Sequence, residues 1–243
     1  MKKVIMLVLV LGIATILAAC GDDSASDNSK SNDDKKSEET AQPATKDVKI
    51  TDKEKVDSDK VVSKINGEEI TGKEYNASYA QTKTLMNQYG QDVSDLENVK
   101  KQALNVIVEQ ELLKQEAKEQ GIEVTDKEVQ KQFKTIKEKN ADQFKAVLDQ
   151  YHLTEATYKD QLAFELTLQK YMKQEIKAEE ITDKEVKEYY SKLKEQSKDA
   201  KTIPKLEEVK DQIKGQLKQQ KQQQQLQAKV EKLKEDAKIK HMI

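Results

Sequence analysis

The sequence predicts a mostly α protein with a small terminal β element and a long C-terminal helix, and three observations predict it. Ala, Leu, Lys, Glu and Gln dominate the chain, and these are good helix formers. Only 7 glycines and 2 prolines are present, so many-turned β folds and glycine-rich phosphate loops have little material to draw on. The third observation is a helix-start device that recurs three times, at Ile70-Thr71-x-x-Glu74-Tyr75, Val124-Thr125-x-x-Glu128-Val129 and Ile181-Thr182-x-x-Glu185-Val186. In each, the threonine hydroxyl takes an orphan amide of the first turn and the glutamate reaches back to the cap amide. The flanking apolar residues form a hydrophobic staple.

Before the first of these starts, the chain reads as two segments that lie outside any fold. Lys2 and Lys3 precede an apolar stretch from Val4 to Leu17, followed by Leu17-Ala18-Ala19-Cys20. A positive start, an apolar run and small residues at a cleavage point make a secretory signal over residues 1–19. The run falls short of the roughly 18 residues needed to span a bilayer, and Gly21-Asp22-Asp23 is too polar to extend it. Leu-Ala-Ala-Cys resembles the lipobox of bacterial lipoproteins, which implies lipid attachment at Cys20 and a position on the extracytoplasmic face of the cell membrane. Each buried CH₂ of an acyl chain contributes about 0.8 kcal/mol, so stable anchoring takes more than one chain. Cys20 is the one cysteine, which rules out an internal disulfide. Residues 20–59 hold hardly an apolar side chain before Val48. They cannot bury enough surface to offset the entropy of ordering. They read as a disordered tether of roughly 40 residues, with an end-to-end distance of about 35 Å.

Order is expected from residue 60. Val61 to Ile65 and Glu68 to Thr71 flank Asn66-Gly67, the strongest short hairpin signal available. A helix follows from Thr71 to about Tyr89 and is closed by Gly90, a natural terminator. Leu96 to Gln120, ended by Gly121, carries the broadest apolar face of the mature chain and marks the center of the core. Shorter, more polar helices are expected over Thr125 to Lys139 and Ala141 to about Tyr151. Two more follow, over Thr154 to Ile176 and Thr182 to Ser197. After Pro204 a helix of roughly 50 Å runs to about Lys238. Its Gln- and Lys-rich middle, Lys218 to Gln225, reads as solvated or spanning a gap. The alternation from Ala237 to Ile243 suggests a strand.

Charge and motif content exclude several functions. The net charge of −2 becomes more negative by two once Lys2 and Lys3 are removed, and no arginine is present. A nucleic-acid binder would show a basic stripe. The two histidines, His152 and His241, lie far apart without a Cys/His cluster, so no zinc site and no other metal site is expected. No Ser/His/Asp arrangement stands in a recognizable context, and no cofactor is implied. Carboxylates such as Glu109 and Glu116 sit among Lys114 and Lys118 on one helix and read as a solvated face.

The succession of a strand-Asn-Gly-strand unit, a Thr-x-x-Glu helix, a long helix ending in glycine, and the two Thr-Asp-Lys-Glu-Val starts resembles the SurA-type N-terminal chaperone domain. That domain is found in PrsA-type foldase lipoproteins of Gram-positive bacteria. The resemblance covers about Val61 to Leu193 and resumes from Pro204 to Ile239. It implies a domain over residues 60–195, with the helix and strand of residues 204–243 packing back on it and Lys238 to Met242 pairing with Val61 to Ile65. In PrsA-type foldases a parvulin prolyl-isomerase domain, with several histidines and glycine-rich turns, lies in the gap that only Gln196 to Lys205 fill here. No catalytic residue and no isomerase activity are therefore expected.

The resemblance implies a membrane-anchored, extracytoplasmic chaperone for unfolded or partly folded exported proteins. Adaptable apolar groups on a concave surface would suit weak, many-sited contact. The candidates are Tyr75, Tyr79, Met86, Tyr89, Tyr151, Tyr158, Tyr171, Met172, Tyr189 and Tyr190, with core packing as the competing role for each. A homodimer stays open. A solute-binding lipoprotein would need alternating β and α segments, which the chain lacks. A structural or protein-interaction lipoprotein of the cell envelope or spore shares every feature except client binding.

Overall fold

The computed structural model describes residues 48–177, 179–196 and 203–243. Cys20, the signal segment and most of the expected tether lie outside them. Seven helices and a three-stranded sheet follow in the order β1 (Val61–Ile65), β2 (Glu68–Thr71), α1 (Gly72–Gln88), α2 (Leu96–Glu119), α3 (Asp126–Lys139), α4 (Ala141–Gln150), α5 (Glu155–Glu175), α6 (Asp183–Gln196), α7 (Leu206–Asp236) and β3 (Ile239–His241).

The sheet closes the described chain on itself, in the order β2-β1-β3 with both pairings antiparallel. Asn66 and Gly67 both have positive φ, 53° and 98°, as a two-residue hairpin turn that matches strand twist requires. Asn66 does more than turn the chain. Its Oδ1 accepts from the Lys238 amide at 2.9 Å, its own amide donates to the Lys238 carbonyl at 2.9 Å, and its Nδ2 donates to Gln115 on α2 at 2.9 Å. One turn residue thus joins the hairpin, the entry to β3 and the central helix.

The capping boxes expected at Thr71, Thr125 and Thr182 are formed. The Glu74, Glu128 and Glu185 carboxylates accept from the respective threonine amides at 2.9, 2.8 and 2.8 Å. A further box, Thr51 with Glu54, starts a short 3-10 turn over Asp52–Glu54, and it corrects the expected tether. Residues 48–59 are folded: Ile50 and Val56 pack on the core and Glu54 is buried. The Glu54 carboxylate accepts from the Thr51 amide and hydroxyl, from the Tyr79 hydroxyl at 2.9 Å and from the Lys83 ammonium. Burial alone would raise its pKa, but the hydrogen bonds from Lys83, Thr51 and Tyr79 outweigh that and hold it at about 2.

Helix α2 lies at the center. One stretch of it joins α1 and the sheet around Val62, Tyr79 and Ile107. Its later turns, Leu113 and Ala117, meet Tyr171 of α5 and Leu226 and Val230 of α7. A third core joins α3, α4 and α5, where Phe133, Phe144 and Tyr158 stack edge to face. The fourth consists of Ile181, Val186 of α6 and Ile213 of α7. Helix α6, expected with residues 60–195, therefore packs on the first half of α7. The second half of α7 packs on α2, and the Gln-rich stretch between the halves is largely exposed.

Glu109 and Glu116 are buried, contrary to the solvated face expected of them. The Lys229 ammonium lies 2.8 Å from Glu116 and the Lys234 ammonium 3.4 Å from Glu109. Both lysines come from α7, more than a hundred residues away in sequence, so no local spacing could reveal the pairs.

Two glycines test this packing with opposite signs. A Cβ at Gly72 would be driven into the Asp57 carbonyl oxygen, whereas one at Gly215 would meet open space. Gly72→Ala should lower the free energy of unfolding by about 2 kcal/mol. Gly215→Ala should raise it by about 0.5–1 kcal/mol through helix propensity. Denaturant titration of both variants checks the pair, and a neutral Gly72→Ala would mean that residues 57–60 do not pack on α1.

Candidate functional site

Helices α1 and α5 both lean on α2, and the gap left between them is a cleft of about 640 Å³. That lies within the usual range for a ligand pocket and leaves room for a few side chains of an extended segment. The end of α4 and the turn after it complete the rim. Ala77 on α1, Val147 and Tyr151 at the end of α4, Leu153 in the turn, and Phe164 on α5 supply half-buried apolar surface. Ile107, Leu162 and Leu168 lie deeper and are buried.

Polar groups ring this surface. Lys73 and Glu74 stand on the α1 side, Glu111 and Lys114 on α2, and Asp160 and Glu165 on α5. Burial raises the Glu165 carboxyl above its ordinary value, and the hydrogen bond that it accepts from Gln169 at 3.2 Å only partly offsets this. Burial likewise raises the Tyr158 hydroxyl, with Glu165 adding to the shift. In the wall, the amide nitrogen of Gln81 is buried and has no hydrogen-bond partner among the described residues.

The chemistry available here is binding by apolar area within a polar rim. Among the described residues, no group of three or more His, Cys, Asp or Glu could hold a metal ion. The imidazoles are elsewhere. His152 hydrogen-bonds the Val48 carbonyl at 2.9 Å, and His241 lies 3.1 Å from the Ser63 hydroxyl on the sheet.

The aromatic and methionine residues expected to touch clients are divided by the fold. Tyr75, Tyr79 and Met86 are buried in the first core and Tyr171 in the second, so these four cannot offer contact surface. Met172 is half-buried against the second core. Tyr189 and Tyr190 pack on the α6–α7 core, and the Tyr190 hydroxyl donates to the Pro204 carbonyl at 2.9 Å. Tyr89 is 70% exposed at the end of α1, away from the cleft lining. Of the expected residues, Tyr151 and Tyr158 line the cleft, with Tyr158 largely buried in the aromatic core. Sequence reading missed Ala77, Val147, Leu153 and Phe164. A signal for Phe164 was present: α5 carries apolar residues beyond the single stripe of Tyr158, Leu162, Leu166 and Met172, and a second apolar face implies a second neighbor or an open surface.

A family model described as the SurA-like N-terminal domain matches residues 44–172, just over half of the chain. Similar proteins include "Foldase protein PrsA" of Caldanaerobacter subterraneus subsp. tengcongensis, 35% identical over 142 residues, which are 54% of this chain and 42% of that protein. "Foldase protein PrsA" of Clostridium acetobutylicum is 32% identical over 128 residues, 45% of this chain and 37% of that protein. "Foldase protein PrsA 2" of Listeria innocua is 43% identical over 67 residues, 28% and 22% of the two chains. The chain therefore covers less than half the length of these curated relatives. The hairpin, the capping boxes at Thr71 and Thr125 and the cleft walls from Ile70 to Leu168 all fall within the matched region, and the box at Thr182 lies beyond it. The chain belongs to the SurA-like N-terminal domain family.

Proposed function

We propose that this protein is a lipid-anchored, extracytoplasmic chaperone that holds unfolded exported proteins in the cleft between α1 and α5 and has no prolyl isomerase step of its own. The observation that carries the reading is the cleft itself: half-buried apolar side chains from three helices and a turn line one concavity in a chain of the chaperone family. Such surface is useful to a client segment whose own apolar residues are still in water, because association removes about 25 cal/mol per Å² of apolar area from solvent. A cleft of this size takes a short stretch only, so each contact is weak and a client can leave to fold.

Anchoring is supported by the Leu-Ala-Ala-Cys sequence ending at Cys20. No described helix is long and apolar enough to cross a membrane, so attachment would fall to the lipid. The relatives named as foldases lend the class of task, and the short connection between α6 and α7, residues 197–205, supports the lack of an isomerase step.

Two outcomes follow. The protein lacking its signal segment should suppress aggregation of a chemically unfolded model client at near-stoichiometric ratios, without accelerating cis/trans exchange of an Xaa-Pro peptide. Ala77→Gln with Val147→Gln, both at half-buried cleft positions, should raise the amount needed for half-suppression roughly fivefold with an unchanged helical circular dichroism spectrum. Equal suppression by this variant and the parent would remove the cleft from the function. Separately, membranes of expressing cells should retain the protein and incorporate a labeled fatty acid into it. Cys20→Ser should abolish the label and release the protein, and labeling that persists in Cys20→Ser would contradict the anchor.

A further inference from the structure

We propose that the cleft selects, among unfolded segments, those in which an apolar side chain is flanked by lysine or arginine. The proposal rests on the client-binding reading above and adds a chemical preference to it.

The observation is an asymmetry of charge across the cleft. On the α1 and α2 side the lining carries as many cations as carboxylates, Lys73 with Glu74 on α1 and Lys114 at 3.8 Å from Glu111 on α2, and the Glu74 carboxylate also accepts from Thr71. That wall is balanced. The α5 wall contributes Asp160 and Glu165 and no lysine. Helix α5 does carry lysines, but Lys173 is exposed outside the cleft lining, and the fold turns Lys159 and Lys170 toward α3. The Lys159 ammonium sits over the Phe133 ring at 4.5 Å from its center, and Lys170 pairs with Glu128 at 2.7 Å and donates to the Glu123 carbonyl at 2.8 Å. Asp160 and Glu165 consequently have no ion-pair partner among the described residues.

Placement decides what these two groups can do. Asp160 is exposed at the rim, while Glu165 is half-buried beside Phe164, Leu168 and the Tyr158 ring. Burial has already weakened the hydration of the Glu165 carboxylate, and a partly desolvated charge interacts more strongly with an incoming cation than an exposed one does. A lysine or arginine next to an inserted apolar side chain would bring its charge to this wall while its aliphatic stem covers apolar surface. An acidic flank would meet uncompensated like charge, which selects against it.

The test uses fluorescein-labeled unstructured peptides that share one apolar center and carry flanks of lysine, serine or glutamate, read by fluorescence anisotropy against the protein lacking its signal segment. The lysine-flanked peptide should bind roughly three- to tenfold more tightly than the glutamate-flanked one, with the ratio falling as salt is raised. Asp160→Asn with Glu165→Gln should bring that ratio close to one. Glu188→Gln with Glu195→Gln removes the same charge from exposed positions on α6 and should leave the ratio as it was. Equal affinity for the three peptides, or a preference lost equally in the α6 variant, overturns the selectivity and leaves the cleft as a client site. Binding of none of the peptides overturns the client-binding reading and the selectivity with it.

Discussion

Two carboxylates on the central helix can stay buried only because another part of the chain returns to meet them. Glu109 and Glu116 lie among Ile107, Leu112, Leu113 and Ala117, where an uncompensated charge is costly. Burial raises the Glu109 carboxyl above its ordinary value, and Lys234 offsets only part of that. Removing one partner from such a pair costs about 3–5 kcal/mol, so α7 cannot leave α2 cheaply. Leu226 and Val230 add apolar area beside the pairs, and β3 then completes the sheet on β1.

That lock shapes the rest of the molecule. With α7 holding one face of α2 and the sheet another, α1 and α5 are left to pack on the remaining flanks. They meet α2 without closing on each other, and the cleft is the space that results. The aromatic core of α3, α4 and α5 stiffens the outer wall and carries Val147 and Tyr151 to the rim. Helix α7 begins in a separate small core with α6 and runs as an exposed Gln-rich rod to its packing on α2. Its two halves are held by different partners, and the polar stretch that joins them needs no core of its own.

Features encoded by neighbors in sequence could be read from sequence. The Asn66-Gly67 turn, the three expected capping boxes and the glycine-ended helices rest on residues at most a few positions apart, and each stands where its chemistry places it. The box at Thr51 was equally legible, but its low-apolar surroundings masked it. Ile50 and Val56 look isolated in sequence and acquire neighbors only once α1 is folded. The pairing of β1 with β3 was accessible through family resemblance and not through local pattern. Contacts across the fold could not be read at all. Glu109 and Glu116 look solvated until α7 arrives, and Tyr75, Tyr79 and Tyr171 are good contact residues by type that the cores occupy. The cleft was the least legible part, because it is defined by where helices fail to touch.

Native-state hydrogen exchange in sub-denaturing denaturant tests the central lock most directly. Amides of α2 around Ile107–Leu113, of α7 around Leu226–Leu233 and of the β1–β3 ladder should lose protection together, as one cooperative unit. If α7 and β3 open at low denaturant while α1 and α2 keep full protection, the return of α7 to α2 does not hold the structure, and the cleft owes its shape to something else.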